Sequence, residues 1–223
     1  ITTLSGPGAA LGNDIRDGFN LVVKNAGGRL GGLPVEVVIA DDGLRPENGR
    51  AIAERMVRRE RIEVLTGIVF SNVMLAVAPV VLPAATYISA NAGPSQLAGE
   101  GCNANYFNVA WQNDNLHEAV GQYVTQQGKR RAYLVAPNYP AGRDALTGFK
   151  RFFKGEVVAE QYTRLDQLDY AAELAAIRNA GPEAVYIFLP GGLGINFIKQ
   201  YAASGLRERV PLYGPGFSFD QDV

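Results

Sequence analysis

Strand-like and helix-like patterns alternate along the whole of this 223-residue chain, and that alternation limits its fold more than any single motif does. Parallel strands need a crossover long enough to be a helix, so the pattern describes an α/β protein with mostly parallel sheets covered by helices. A strand stub at residues 1–4 precedes Leu11, Ile15, Phe19, Val22 and Ala26 at helical spacing, and Gly27 and Gly28 supply the stop. Residues 34–40 read as the next strand and run into Asp41 and Asp42. Pro46 suits the first turn of a helix carrying Ile52, Met56 and Val57 on one side, and 62–66 is again strand-like. Ser71 and Asn72 form a natural N-cap pair for a short helix through Ala76, stopped near Pro79, with a strand at 85–90 and a loop at 91–94.

The rhythm breaks at 106–114, where a short strand gives way to polar residues with no helix before Leu116. The same alternation then restarts. Helices are expected at about 115–127, 141–153, 170–179 and 193–203, and strands at 132–136, 156–161, 184–189 and 210–213. Two lobes follow, 1–113 and 114–223, each a mostly parallel sheet with helices on both faces.

Composition narrows the function classes. Hydrophobic residues make up 47% and charged residues 19%, which fits a packed domain rather than a disordered chain. Lys and Arg number 21 against 22 Asp and Glu, so no broad positive field exists to neutralise nucleic acid or an anionic membrane. The Arg-dense run 55–61 is interleaved with Glu54, Glu60 and Glu63 and reads as a solvated helix face. No apolar run is long enough to span a bilayer. Cys102 is the single cysteine and has no partner within the chain.

Catalytic motifs are scarce. The one histidine, His117, falls on an amphipathic helix and reads as a surface or lobe-edge residue, which removes most Ser-His-Asp, Cys-His and multi-His metal schemes. There is no Gly-x-Ser-x-Gly elbow and no Gly-Lys-Ser/Thr loop. Gly6, Gly8 and Gly12 after a strand stub resemble a dinucleotide-binding turn, with Asp41 placed for a ribose hydroxyl or Arg45 for a 2′-phosphate, and an NAD(P)-dependent enzyme is the alternative they support. Asp166 and Asp169 sit in a turn where Asp169 suits a helix N-cap. No metal site, catalytic residue or cofactor is expected.

Small and hydroxyl residues gather instead at the carboxyl ends of strands, the edge where open α/β sheets bind ligands. They are Ser5 and Gly6, Phe70 to Asn72, Ser89 to Gly93, Asn138 and Tyr139, Pro190 to Gly192, and Gly214 to Phe217. Ser71 stands out, because a hydroxyl at a helix start can bind an anion alongside the N–H groups behind it.

Leu4-Ser5-Gly6-Pro7 opening a helix with Gly12, Asp41-Asp42, Gly67 before Ser71, Ser89 through Pro94, Tyr139 with Gly142, and Tyr213-Gly214-Pro215 follow one another in a telling order. Over nearly the whole chain that order resembles the periplasmic solute-binding proteins of the leucine/isoleucine/valine-binding type, partners of ABC importers. The resemblance implies two hinged lobes with a ligand cleft between them, export to the periplasm behind a signal peptide, a monomer, and docking on a membrane permease without membrane insertion. It also implies a chain shortened at both ends, whose first lobe would be completed by further C-terminal sequence.

By that resemblance Ser71 holds a carboxylate, the 90–93 loop (Ala92 and Gly93 with Asn91, next to Ser89) meets the ligand's polar end, and Tyr139 covers it. Two departures stand out: Gly216 and Phe217 replace the acid that faces an α-ammonium, and Pro190, Gly191 and Gly192 replace aromatic residues. A buried ammonium without a counter-charge costs several kcal/mol. The expected solute is therefore a carboxylate with an aromatic or bulky apolar body, walled by Phe70, Tyr139 and Phe217 with room at Gly191 and Gly192. Branched-chain amino acid binding is the alternative within the same family.

Overall fold

Gly8 and Gly12 seat the first helix on the chain's opening segment. In the computed structural model, which describes residues 1–219, a 3-10 turn at Gly6–Gly8 leads into α1 (Ala9–Asn25). A Cβ on Gly12 would lie 1.8 Å from the Thr3 carbonyl oxygen, and one on Gly8 would lie 2.4 Å from the Phe70 ring. Asp41 is engaged in the same corner, its Oδ1 accepting from Leu4 N at 2.7 Å and Gly43 N at 2.8 Å. Helix packing thus accounts for glycines that a dinucleotide site would otherwise claim.

The chain divides into two units, Ile1–Ala110 and the residues from Trp111 onward. In the first, β1 (Arg29–Leu30) and β2 (Leu33–Pro34) make an antiparallel hairpin. The strand expected over 34–40 is largely absent. A single parallel bridge joins Thr2 to Asp41, with Thr2 N donating to Ala40 O and Asp42 N to Thr2 O, both at 3.0 Å. Leu4 N turns to the Asp41 carboxylate instead of a backbone carbonyl, which ends the ladder after one residue.

α2 (Pro46–Arg58), with Pro at its first position as expected, is followed by β3 (Val64–Thr66), α3 (Ser71–Val81), β4 (Thr86–Ser89), the one-turn α4 (Ser95–Ala98) and β5 (Tyr106–Asn108). The three strands pair in parallel in the order β3-β4-β5. Leu65 and Tyr87 are buried, whereas Val64, Ile88 and Phe107 alternate to an exposed face. α3 does not stop near Pro79 but runs to Val81. Burial of Val73, Met74, Val77, Ala78 and Val81 along one flank outweighs the roughly 3 kcal/mol cost of an internal proline.

The second unit follows the expected alternation to within a few residues: α5 (Asn115–Gln126), β6 (Arg131–Pro137), α6 (Pro140–Phe152), β7 (Glu156–Thr163), α7 (Ala171–Ala180), β8 (Ala184–Ile187), α8 (Gly192–Ala203) and β9 (Leu212–Tyr213). Its sheet is parallel throughout, in the order β7-β6-β8-β9. Successive residues of β8 serve opposite layers. Val185 and Ile187 join Tyr170, Leu174, Phe197 and Tyr201 in one core, and Tyr186 stacks on Phe149 of α6 with ring centroids 4.4 Å apart. α5 and α6 touch at glycines, since a Cβ on Gly121 would meet Phe149 O at 2.2 Å and one on Gly148 would meet Asp114 O at 2.3 Å. Asp169 supports the start of α7 by accepting from Ala171 N at 2.9 Å, although Tyr170 holds the cap position. A 3-10 turn at Gly216–Phe219 follows β9, and residues 220–223 of the expected second lobe lie outside the described residues.

Candidate functional site

At the carboxyl edge of the first unit's sheet, α3 begins with Phe70 at its N-cap and no side-chain cap, so Ser71 occupies the first helical position rather than the cap. Ser71 is 1% exposed. The 89–93 loop is fastened to the segment before it. Asn91 Nδ2 donates to Val69 O at 2.8 Å, and Ala92 N donates to Ile68 O at 3.4 Å. Ser89 Oγ and Tyr106 Oη both donate to Ala92 O, at 2.6 and 2.7 Å. The fold therefore brings Phe70, Ser71, Ser89, Asn91, Ala92 and Gly93 together at one edge. It also assigns Ser89 and Asn91 to bracing the loop, and packs Phe70 beneath Gly8.

The corresponding edge of the second unit is aromatic. Tyr139, the N-cap of α6, stacks on Phe188 at 6.3 Å, Phe188 meets Phe217 edge-on at 6.1 Å, and Phe217 stacks on Trp111 at 5.8 Å. Tyr139 and Phe188 are buried, at 6% and 7% exposed, whereas Phe217 and Trp111 are exposed, at 42% and 37%. Burial pushes the Tyr139 phenol far above its ordinary range, so it stays neutral. Gly191 caps α8 with φ +60°, a conformation that by itself calls for glycine, and Gly192 is that helix's first residue. Gly216 has open space around the position of a Cβ.

His117 is not the surface residue its helix pattern suggests. It is 2% exposed, its Nδ1 shares a hydrogen bond with the Tyr186 hydroxyl, and its ring meets Phe188 edge-on at 4.9 Å. Burial lowers its pKa to about 4 against the opposing pull of Asp114, which keeps it neutral. Trp111, Phe188 and His117 escape a search for small residues at strand ends. The available signal was period two in β8, which puts Tyr186 and Phe188 on the same side. Cys102 is exposed, with a free thiol.

Each unit thus presents its own strand-end edge: the first a helix start and backbone loop, the second a series of rings. The sequence matches the periplasmic binding protein family over residues 1–223, and the chain belongs to that family. It is 33% identical to a solute-binding protein of an ABC transporter from R. palustris, solved in complex with benzoate. That match has a TM-score of 0.94 and covers 99% of this chain and 62% of the other. A solute-binding protein from Rhodopseudomonas palustris BisB5, solved with 3,4-dihydroxybenzoic acid, is 27% identical with a TM-score of 0.90, over 97% of this chain and 61% of the other. The Leu/Ile/Val-binding protein homolog 6 of Brucella melitensis is 27% identical over 97% of this chain. The chain spans 57% of that relative's length. These relatives are solute-binding proteins, not enzymes.

Proposed function

We propose that the chain forms part of the extracytoplasmic solute-binding component of an ABC importer, and that its solute is a small carboxylate with an aromatic or bulky apolar body. The observation that carries this reading is the series of ring contacts from Tyr139 through Phe188 and Phe217 to Trp111, beside a turn, Gly216–Phe219, that contains no acid. Rings meet rings favourably by offset stacking and edge contacts, and an α-ammonium placed there would find no acid among the described residues of the turn. The benzoate and dihydroxybenzoate held by the two R. palustris relatives support the same ligand class.

In this reading Ser71 and the 90–93 loop take the carboxylate, while Tyr139, Phe217 and the Gly191–Gly192 turn take the solute's body. Closure on the solute then makes the form that a membrane permease recognises. Branched-chain amino acids are the competing solutes, favoured by the name of the Brucella relative. A thermal-shift panel on the full-length protein separates the two. Benzoate or cinnamate should raise the melting temperature and leucine or valine should not; the reverse result overturns the proposal. Replacing Ser71 with Ala should weaken benzoate binding by about 1.5–3 kcal/mol, the worth of a hydrogen bond to a charged group. Unchanged affinity would leave Ser71 a purely structural residue.

A further inference from the structure

Ser218 lies in the turn after β9, between Phe217 and Phe219, and is 5% exposed. Its backbone N–H donates to Pro215 O at 2.9 Å, yet its Oγ is buried without a hydrogen-bond partner among the described residues. A buried hydroxyl has given up its bonds to water, and native proteins leave few such groups unpaired. The neighbouring ring, Phe217, belongs to the aromatic series at the sheet's carboxyl edge. We propose that Ser218 is a specificity residue that pairs with a hydroxyl group on the ring of the solute, so that this protein prefers hydroxylated aromatic acids over unsubstituted ones.

The chemistry of the turn selects that substituent over others. A serine hydroxyl both donates and accepts, as a phenolic hydroxyl does, and it carries no charge. Among the described residues of the turn, Gly216–Phe219, there is no acid for an amine and no base for a second carboxylate. The nearby imidazole of His117 already has its Nδ1 engaged by the Tyr186 hydroxyl. Thr163, at the end of β7, has the other orphan hydroxyl on this edge, but β7 and β9 are the opposite margins of the sheet and no ring of the series adjoins Thr163 in sequence.

This inference rests on the aromatic-carboxylate reading, and calorimetric titration of the full-length protein with benzoate and 4-hydroxybenzoate tests the two separately. The wild type should bind 4-hydroxybenzoate roughly fivefold or more tightly than benzoate, the worth of one neutral hydrogen bond in a site built for it. Ser218→Ala should bring the ratio of the two affinities close to one, and Thr163→Val should keep it. Because the readout is a ratio within one variant, a general loss of stability does not imitate it. A wild-type ratio near one, an unaltered ratio in Ser218→Ala, or a ratio abolished by Thr163→Val instead overturns the role of Ser218. No heat with either acid overturns the ligand class itself.

Discussion

The buried histidine makes a quantitative claim on the protein's acid stability. His117 has an ordinary pKa of 6.5 when solvated, and burial lowers it to about 4 in the folded chain. Below pH 6.5 the unfolded state takes up a proton that the folded state refuses, so folding stability falls as the pH drops from 6.5 towards 4. A lowering of that size corresponds to about 3 kcal/mol in full, of which about 2 kcal/mol should be gone by pH 5. Above pH 6.5 this contribution is fully present. His117→Gln is the informative substitution, because glutamine stays neutral throughout and its amide can still meet the Tyr186 hydroxyl. Urea unfolding of both proteins at pH 7, 6 and 5 gives the difference in unfolding free energy. That difference should move by about 2 kcal/mol in favour of the variant between pH 7 and pH 5. A difference that stays constant with pH would mean that His117 is as solvated, or as readily charged, in the folded chain as in the unfolded one, and the assignment of a neutral buried imidazole would fail.

Other expectations follow from single contacts. Gly148→Ala places a Cβ against the Asp114 carbonyl oxygen, at 2.3 Å in the unrelaxed structure, and should destabilise the second unit by roughly 1–3 kcal/mol in chemical unfolding. Tyr87→Phe removes the hydroxyl that accepts from Ile68 N at 2.8 Å, leaving a buried amide unpaired, and should lower unfolding free energy by about 1–3 kcal/mol with little change in far-UV circular dichroism. Trp111, the only tryptophan, lies on Phe217 at the exposed end of the aromatic series, so benzoate should change its emission, and Trp111→Phe should abolish the signal. An unchanged wild-type spectrum at saturating benzoate would place the solute away from these rings.

The second unit was legible in the sequence almost strand by strand, because its central strands β6 and β8 are buried on both faces and the apolar runs 132–136 and 184–189 have no competing use. The first unit was less so. Val35, Val37 and Ile39 alternate as a strand should, but the partner segment pairs at Thr2 alone, and nothing in 34–40 reveals that Leu4 will turn to a carboxylate. Likewise Pro79 carries a local stop signal that tertiary burial overrides. Local pattern reports what a segment tolerates; the partner decides what it does.

The same division holds at the candidate site. That Ser71, Tyr139 and Phe217 would stand at strand ends was readable from topology. Which polar side chains brace the loop was not readable, since Ser89 and Asn91 look no different in sequence from other polar residues at strand ends, and only the fold shows them bonding Ala92 O and Val69 O. His117 shows the limit most clearly. Between Leu116 and Glu118 a lone imidazole looks like part of a solvated face, and the residue that makes its burial tolerable, Tyr186, lies 69 positions away. A polar residue buried for the sake of a distant partner leaves no periodic trace. The traceable half of the pair was Tyr186, a phenol in the middle of an otherwise apolar strand, whose hydroxyl had to be met by something on the helix layer above it.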